Sequence, residues 1–199
     1  ARDFWPGPMT LIMKRSGLAG DFVTGGQDTV GVRVPDHPVA LGLLEAFARV
    51  GGKGVAAPSA NRFGNVSPTT AQAVADELSE YLGDADQILD GGPCEVGVES
   101  TIVDCTGAAP SVLRPGAINV TMIEECTGLK TTQSENEIRV SGALENHYAP
   151  VAKVIIGEVP IAGQGFIALA AIETPEGVIR LASPMDDEEF AHILYSALR

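Results

Sequence analysis

Thr29-Val30-Gly31-Val32-Arg33-Val34-Pro35-Asp36-His37-Pro38-Val39 is the stretch on which the fold turns. Val30, Val32 and Val34 alternate with Thr29, Gly31 and Arg33, and this period of two predicts a strand over 29–34. The period then changes. Asp36 is placed to cap a helix, Pro38 lies in its first turn, and Val39, Leu43, Phe47 and Val50 recur at three or four until Gly51-Gly52 stops the pattern. A strand running straight into an amphipathic helix is the unit from which α/β domains are built.

Working outward, 53–58 reads as a short apolar strand, with Ser59-Ala60-Asn61 as the loop at its carboxyl end. A second helix follows Ser67-Pro68, with the stripe Ala71, Val74, Ala75, Leu78 and Leu82, and ends at Gly83. Segments 87–90, 100–105 and 111–114 read as strands between Gly/Pro turns. Thr121 with Glu124 three residues on predicts a capping box for a short helix ending near Gly128. The first domain is expected over 1–127, followed by a polar linker over 128–150. A small, partial α/β unit is expected over 151–199, with strands at 151–156, 165–170 and 177–181. Asp186 opens its closing helix, striped by Phe190, Ile193, Leu194, Ala197 and Leu198.

The 199 residues carry 13 Lys+Arg against 26 Asp+Glu, a net charge of −13, with 45% hydrophobic and 20% charged residues. That balance suits a packed core and excludes a disordered or fibrous chain. The acidity argues against a broad RNA or DNA footprint, which needs a basic face. It leaves room for a single bound nucleotide. The longest apolar run, 166–172, is far short of the ~20 residues that cross a bilayer, so no membrane segment is expected. No apolar leader pattern opens the chain. Cys94, Cys105 and Cys126 show no CxxC or Cys/His spacing, so neither a disulfide framework nor a zinc site is expected, and a cytoplasmic setting fits.

Polar clusters fall where strands end: Thr29 with Arg33, Ser59 through Asn61 to Ser67, Glu95 through Glu99 to Ser100, and Arg114-Pro115-Gly116. An arginine beside hydroxyls and backbone N–H groups is suited to a carboxylate or phosphate, because the guanidinium is a planar fork of donors. Ser67 just before a helix would add a helix N-terminus, another anion site. Each residue also has a plainer reading: Ser67 as an N-cap, Thr29 as a cross-strand partner, Arg114 as a surface ion pair, Glu95 and Glu99 as a solvated turn. No G-x-x-x-x-G-K-S/T, G-x-G-x-x-G or G-x-S-x-G occurs, which excludes the common phosphate loops and the serine-hydrolase elbow.

Trp5-Pro6-Gly7-Pro8-Met9-Thr10, Val30-Gly31-Val32-Arg33-Val34-Pro35 with His37-Pro38, Ala57-Pro58-Ser59-Ala60-Asn61 with Ser67-Pro68-Thr69, Asp90-Gly91-Gly92, Gly97 to Asp104, and Leu113-Arg114-Pro115-Gly116 together resemble the YrdC-like family. His147-Tyr148-Ala149-Pro150 resembles the long, two-domain form. The resemblance implies a twisted mixed α/β sheet with helices around a large concave cavity, then a partial Rossmann-like unit. It implies a threonylcarbamoyl-AMP synthase, which forms threonylcarbamoyl-AMP and pyrophosphate from L-threonine, bicarbonate and ATP with Mg²⁺. The product would pass to a tRNA threonylcarbamoyl-transfer complex, with at most a weak RNA contact of its own. Carried over by motif, Arg33, Ala57 and Ser100 would hold threonine, and Thr29, Ser59, Ser67, Arg114 and Tyr148 would hold ATP. Arg33, Ser59, Ser100 and Arg114 would then share one hollow, and no covalent nucleophile is expected. The family's Lys/Arg-Pro motif precedes its Trp-Pro-Gly-Pro stretch and is not in this sequence. Poor activity is therefore expected of these 199 residues alone. The competing readings are the carbamoyl-adenylate-forming module of a carbamoyltransferase and a non-catalytic nucleotide- or RNA-binding protein.

Overall fold

The computed structural model describes residues 1–133, 138–142 and 149–199. The chain forms two compact units, one from Ala1–Pro58 with Glu99–Glu145, the other from Ser59–Val98 with Asn146–Arg199.

The first unit is built on four strands, β1 (Met9–Lys14), β2 (Thr29–Val32), β3 (Thr101–Asp104) and β4 (Ser111–Arg114), in the order β2-β1-β3-β4. β1 runs antiparallel to β2 and parallel to β3, and β4 returns antiparallel to β3, so the sheet is mixed. All four residues of β3 are buried, as a strand with neighbours on both sides should be. Met9, Val103, Ile118 and Ile123 form the core, and Phe4, Trp5, Leu11, Val112 and Met122 pack around it. Burying a side chain such as Val103 stabilises the fold by roughly 1.5–3 kcal/mol. Ile123 comes from helix α4 (Val120–Thr127), which Asn119 caps by accepting from the Met122 N–H at 2.9 Å. The predicted Thr121–Glu124 capping box does not form. Asn119 is the better acceptor, and Glu124 instead takes Lys130 Nζ at 2.7 Å and the Thr131 N–H at 2.9 Å.

Helix α1 (Asp21–Thr24) is one turn between β1 and β2, and α2 (Pro38–Arg49) follows β2 as the change of period predicts. His37, not Asp36, caps α2, with Nδ1 accepting from the Val39 N–H at 3.3 Å, while Asp36 lies 3.9 Å from Arg33.

Three predicted strands, 53–58, 87–90 and 151–156, are absent. Apolar composition makes a strand only where a neighbouring edge supplies N–H and C=O partners, and none of the three joins either sheet. The polar stretch after α4 is also more anchored than its composition suggests. Thr132 N–H donates to Pro110 O, and the Gln27 side-chain amide pairs with the Arg139 backbone in both directions, at 2.8 and 3.2 Å. The Gln27 amide and a backbone bond serve here in place of apolar anchors.

The second unit contains α3 (Ala71–Leu78) with a 3₁₀ turn over Ser79–Tyr81, the parallel pair β5 (Gly165–Ile167) and β6 (Ile179–Ala182), and α5 (Asp187–Leu198). Asp186 caps α5 at Glu189 N–H, as its sequence predicts. No helix links the parallel strands. Arg180 organises the irregular crossover instead, donating to Ala168, Leu169 and Ile172 carbonyls and stacking 5.0 Å from the Phe166 ring centroid. α5 lies against the turn before Val98. A Cβ on Gly97 would collide with His192 O, and His192 Nδ1 lies 2.7 Å from Glu95 O. Among the described residues, no helix is long and apolar enough to cross a membrane.

Candidate functional site

The sheet register brings Thr10, Arg33, Ser100 and Arg114 to one end of the first unit. Leu11 pairs with Val32, which sets Thr10 beside the position of Arg33. Met9 pairs with Thr101, so Ser100 enters at the same end, and Ile102 pairs with Arg114 at the end of β4. Three residues chosen from separate motifs thus reach one edge because β1 and β3 are parallel while β2 and β4 return.

Each is held by backbone. A cis Trp5–Pro6 peptide and an indole N–H donated to Met9 O at 2.7 Å shape the turn before β1. A Cβ on Gly7 would meet Phe4 O at 2.5 Å, so only glycine fits there. Gly7 O then accepts from Arg33 Nε at 2.9 Å, which aims the guanidinium while leaving the side chain 39% exposed. Arg114 donates Nε and Nη2 to Ser100 O at 3.0 and 2.9 Å, Nη2 to Ser100 Oγ at 3.0 Å, and Nη1 to Ser141 O at 3.0 Å. Ser100 Oγ lies 3.0 Å from Thr10 Oγ1. Arg114 Nη2 is also 3.5 Å from Glu99 Oε2, in a pair whose side chains are only 12% and 17% exposed. A cationic fork fixed by carbonyls and flanked by hydroxyls is preorganised for a carboxylate or phosphate oxygen.

Thr29 stands at the opposite end of β2, paired with Lys14. There, with Lys14, Arg15, Ser16, Gln27 and Asp28, it lines a concavity of about 960 Å³. Ala57 is exposed in the segment that forms no strand.

Ser59 and Ser67 belong to the second unit. Ser59 precedes Ala60, whose φ of 55° is left-handed without being glycine, a conformation that costs about 1–3 kcal/mol and persists only where neighbours enforce it. Ser67 is 8% exposed and donates Oγ to Asn61 Oδ1 at 3.3 Å. It does not sit at a helix N-terminus. α3 starts later and is capped by Thr70, which accepts from Ala73 N–H, so Ser67 offers a buried hydroxyl without the helix end expected beside it. Tyr148 lies outside the described residues.

Sequence reasoning missed Thr10 and took Glu99 for a solvated turn. The strand predicted at 111–114 forms, but only its register against β3, which sets Arg114 opposite Ile102, brings Arg114 to Glu99. Sequence reasoning also missed Glu77, a half-buried residue on α3 that is ion-paired to Arg199. Among the described residues no group of three or more His, Cys, Asp or Glu is arranged to hold a metal.

A family model described as "Telomere recombination", spanning the Sua5, YciO and YrdC proteins, matches residues 1–116, and one described as the threonylcarbamoyl-AMP synthase C-terminal domain matches 118–199. The threonylcarbamoyl-AMP synthase of Pyrococcus abyssi is 41% identical over 166 residues, 80% of this chain and 47% of that protein. The Bacillus subtilis threonylcarbamoyl-AMP synthase is 42% identical over 161 residues, 78% of this chain and 44% of its own length. The crystal structure of P. abyssi Sua5 complexed with L-threonine superposes with a TM-score of 0.78 at 32% identity, covering 100% of this chain and 62% of that one. The chain spans about half the length of the curated relatives it matches. With the motifs in order and both family models covering nearly every residue, this chain belongs to the Sua5/YciO/YrdC family, in the form that carries the threonylcarbamoyl-AMP synthase C-terminal domain.

Proposed function

We propose that the protein is an L-threonylcarbamoyladenylate synthase, joining L-threonine, bicarbonate and ATP to give threonylcarbamoyl-AMP and pyrophosphate. The observation that carries this reading is the fixed pair Arg114–Ser100, with Arg33 at the same end of the sheet. Two guanidinium groups there suit two anionic reactants. Arg33, Ala57 and Ser100 take threonine, Arg33 forking onto the carboxylate. Thr29, Ser59, Ser67, Arg114 and Tyr148 take ATP, with Arg114 at the α-phosphate, where charge accumulates during transfer.

N-carboxythreonine, formed when the threonine amine adds to bicarbonate and water leaves, attacks the α-phosphorus through a carboxylate oxygen. The bond to the bridging oxygen breaks, and pyrophosphate leaves with that electron pair. The protein contributes positioning and electrostatics and no nucleophile of its own. Mg²⁺ enters on the triphosphate, as part of the substrate. The adenylate then serves a tRNA threonylcarbamoyl-transfer complex in the cytoplasm. The net charge of −13 leaves little capacity for this chain to grip RNA by its backbone.

The test is pyrophosphate release with each reactant omitted in turn. The expected result is release that requires threonine and bicarbonate together. Release indifferent to threonine would point to another adenylating reaction.

A further inference from the structure

We propose that Glu77 and Arg199 form a clamp that positions the loop bearing Ser59 and Ser67, which makes both charged residues positioning residues for nucleotide binding. The role rests on the proposed nucleotide assignment of the two serines.

Glu77 sits near the end of α3, with its side chain only 7% exposed. By itself that is an unfavourable place for a carboxylate. A negative charge opposes the helix dipole at a C-terminus, and burying it is costly unless it is paired and hydrogen-bonded. Every compensating partner but one comes from the serine loop. Oε1 accepts the Arg62 N–H at 2.7 Å and Asn65 Nδ2 at 2.9 Å. Oε2 accepts Arg199 Nη2 at 2.6 Å. Burial alone would raise the pKa of this carboxyl, but the hydrogen bonds from Arg62, Asn65 and Arg199 outweigh it and hold the group below its ordinary value.

Arg199, at the end of α5, reaches the same loop a second way, through Nη1 to Val66 O at 2.6 Å, and touches α3 at Ala73 O. From the clamp the bonds run inward to the serine. Asn65 O and Arg62 O accept from Asn61 Nδ2, at 3.0 and 2.8 Å, and Asn61 Oδ1 accepts from Ser67 Oγ. A loop that holds Ala60 at φ 55° needs such external anchors. The closing helix α5 thereby contributes to nucleotide binding by supplying the cation that stiffens the serine loop.

The full chain is tested as Glu77→Gln, Arg199→Ala and the double variant, by titration with ATP and separately with threonine, and by amide exchange over 61–67. Each single variant should weaken ATP binding by about tenfold, equivalent to about 1.4 kcal/mol. Threonine affinity should hold within about twofold, loop exchange should accelerate, and the double variant should lose no more than either single one, since members of one network do not add. Glu77→Gln keeps an acceptor for Arg62 and Asn65, so it serves where Arg199→Ala does not fold. An ATP-binding wild type whose variants bind ATP equally well would overturn the clamp and leave the nucleotide assignment standing. Parallel losses of ATP and threonine affinity, with exchange rising throughout, would also overturn it, as a general loss of fold. A wild type that binds no ATP would overturn the nucleotide assignment and this role with it.

Discussion

Replacing Gly116 by alanine puts one methyl group into a close backbone approach beside Arg114 in the candidate site. Its Cβ would stand 2.5 Å from Glu99 O, 2.6 Å from Thr101 N and 2.8 Å from Thr101 Oγ1, where ordinary contact begins at 3.4 Å. The turn after Arg114 must therefore open by about 0.9 Å from a backbone that cannot rotate away. Thr101 is fully buried and exchanges two bonds with Ile118, Oγ1 donating to the carbonyl at 2.8 Å and accepting from the N–H at 3.0 Å. An opening of that size takes both beyond bonding distance. Two lost buried hydrogen bonds at about 1 kcal/mol each, with an overpacking cost of about 1–3 kcal/mol, give roughly 3–5 kcal/mol of destabilisation. Trp5, the only tryptophan, packs against the same core, so its fluorescence in urea reports the first unit. Gly42 in α2 is the control. Nothing lies within 4 Å of its Cβ position, so Gly42→Ala should stabilise by about 0.5–1 kcal/mol. A Gly116→Ala variant within about 1 kcal/mol of wild type would refute this reasoning about the turn.

Gly97→Ala should loosen α5 from the turn at Glu95–Val98, because His192 O occupies the space of the new methyl; rising amide exchange across 187–198 checks it. Arg180→Ala should destabilise the β5–β6 unit by about 2–4 kcal/mol, since it strips hydrogen bonds from several carbonyls at once; thermal melts of the variant measure it. Arg33→Ala should weaken threonine binding at least about tenfold, the scale of a lost charge-assisted fork, with ATP affinity in the absence of threonine unchanged by calorimetry. The Glu77 anchor should depend on pH. Its folded pKa is lowered, so its stabilisation is complete above the ordinary value of 4.5 and is lost as pH falls through the lowered one. Exchange at Arg62 and Asn65, corrected for intrinsic rate, should rise only on that acid side.

The parts of the fold that read correctly from sequence were those with their own periodicity. β2, α2 and α5 each carry an alternation or a stripe that needs no partner to be recognised. The strand predicted at 111–114 was delimited by turn residues and formed as expected. The strands that failed at 53–58, 87–90 and 151–156 had apolar composition but no neighbouring edge, and pairing is not a local property. The cap of α4 lies two residues before the predicted one, because Asn119 accepts the Met122 N–H and starts the helix at Val120, which leaves Thr121 inside the first turn. At the candidate site, residue types were legible and their coupling was not. Arg114 stood out by its chemistry, but its bonds to Ser100 and Glu99 depend on the register of β3 against β4. Glu77 gave no signal, because a glutamate in a helix looks solvated until its neighbours are known.

Calorimetric titration of the full chain with ATP, run with and without L-threonine, bears most directly on the proposed synthase. Threonine should tighten ATP binding, because the two ligands are reactants in one reaction. ATP affinity unmoved by saturating threonine, in a chain that binds both, would contradict that function.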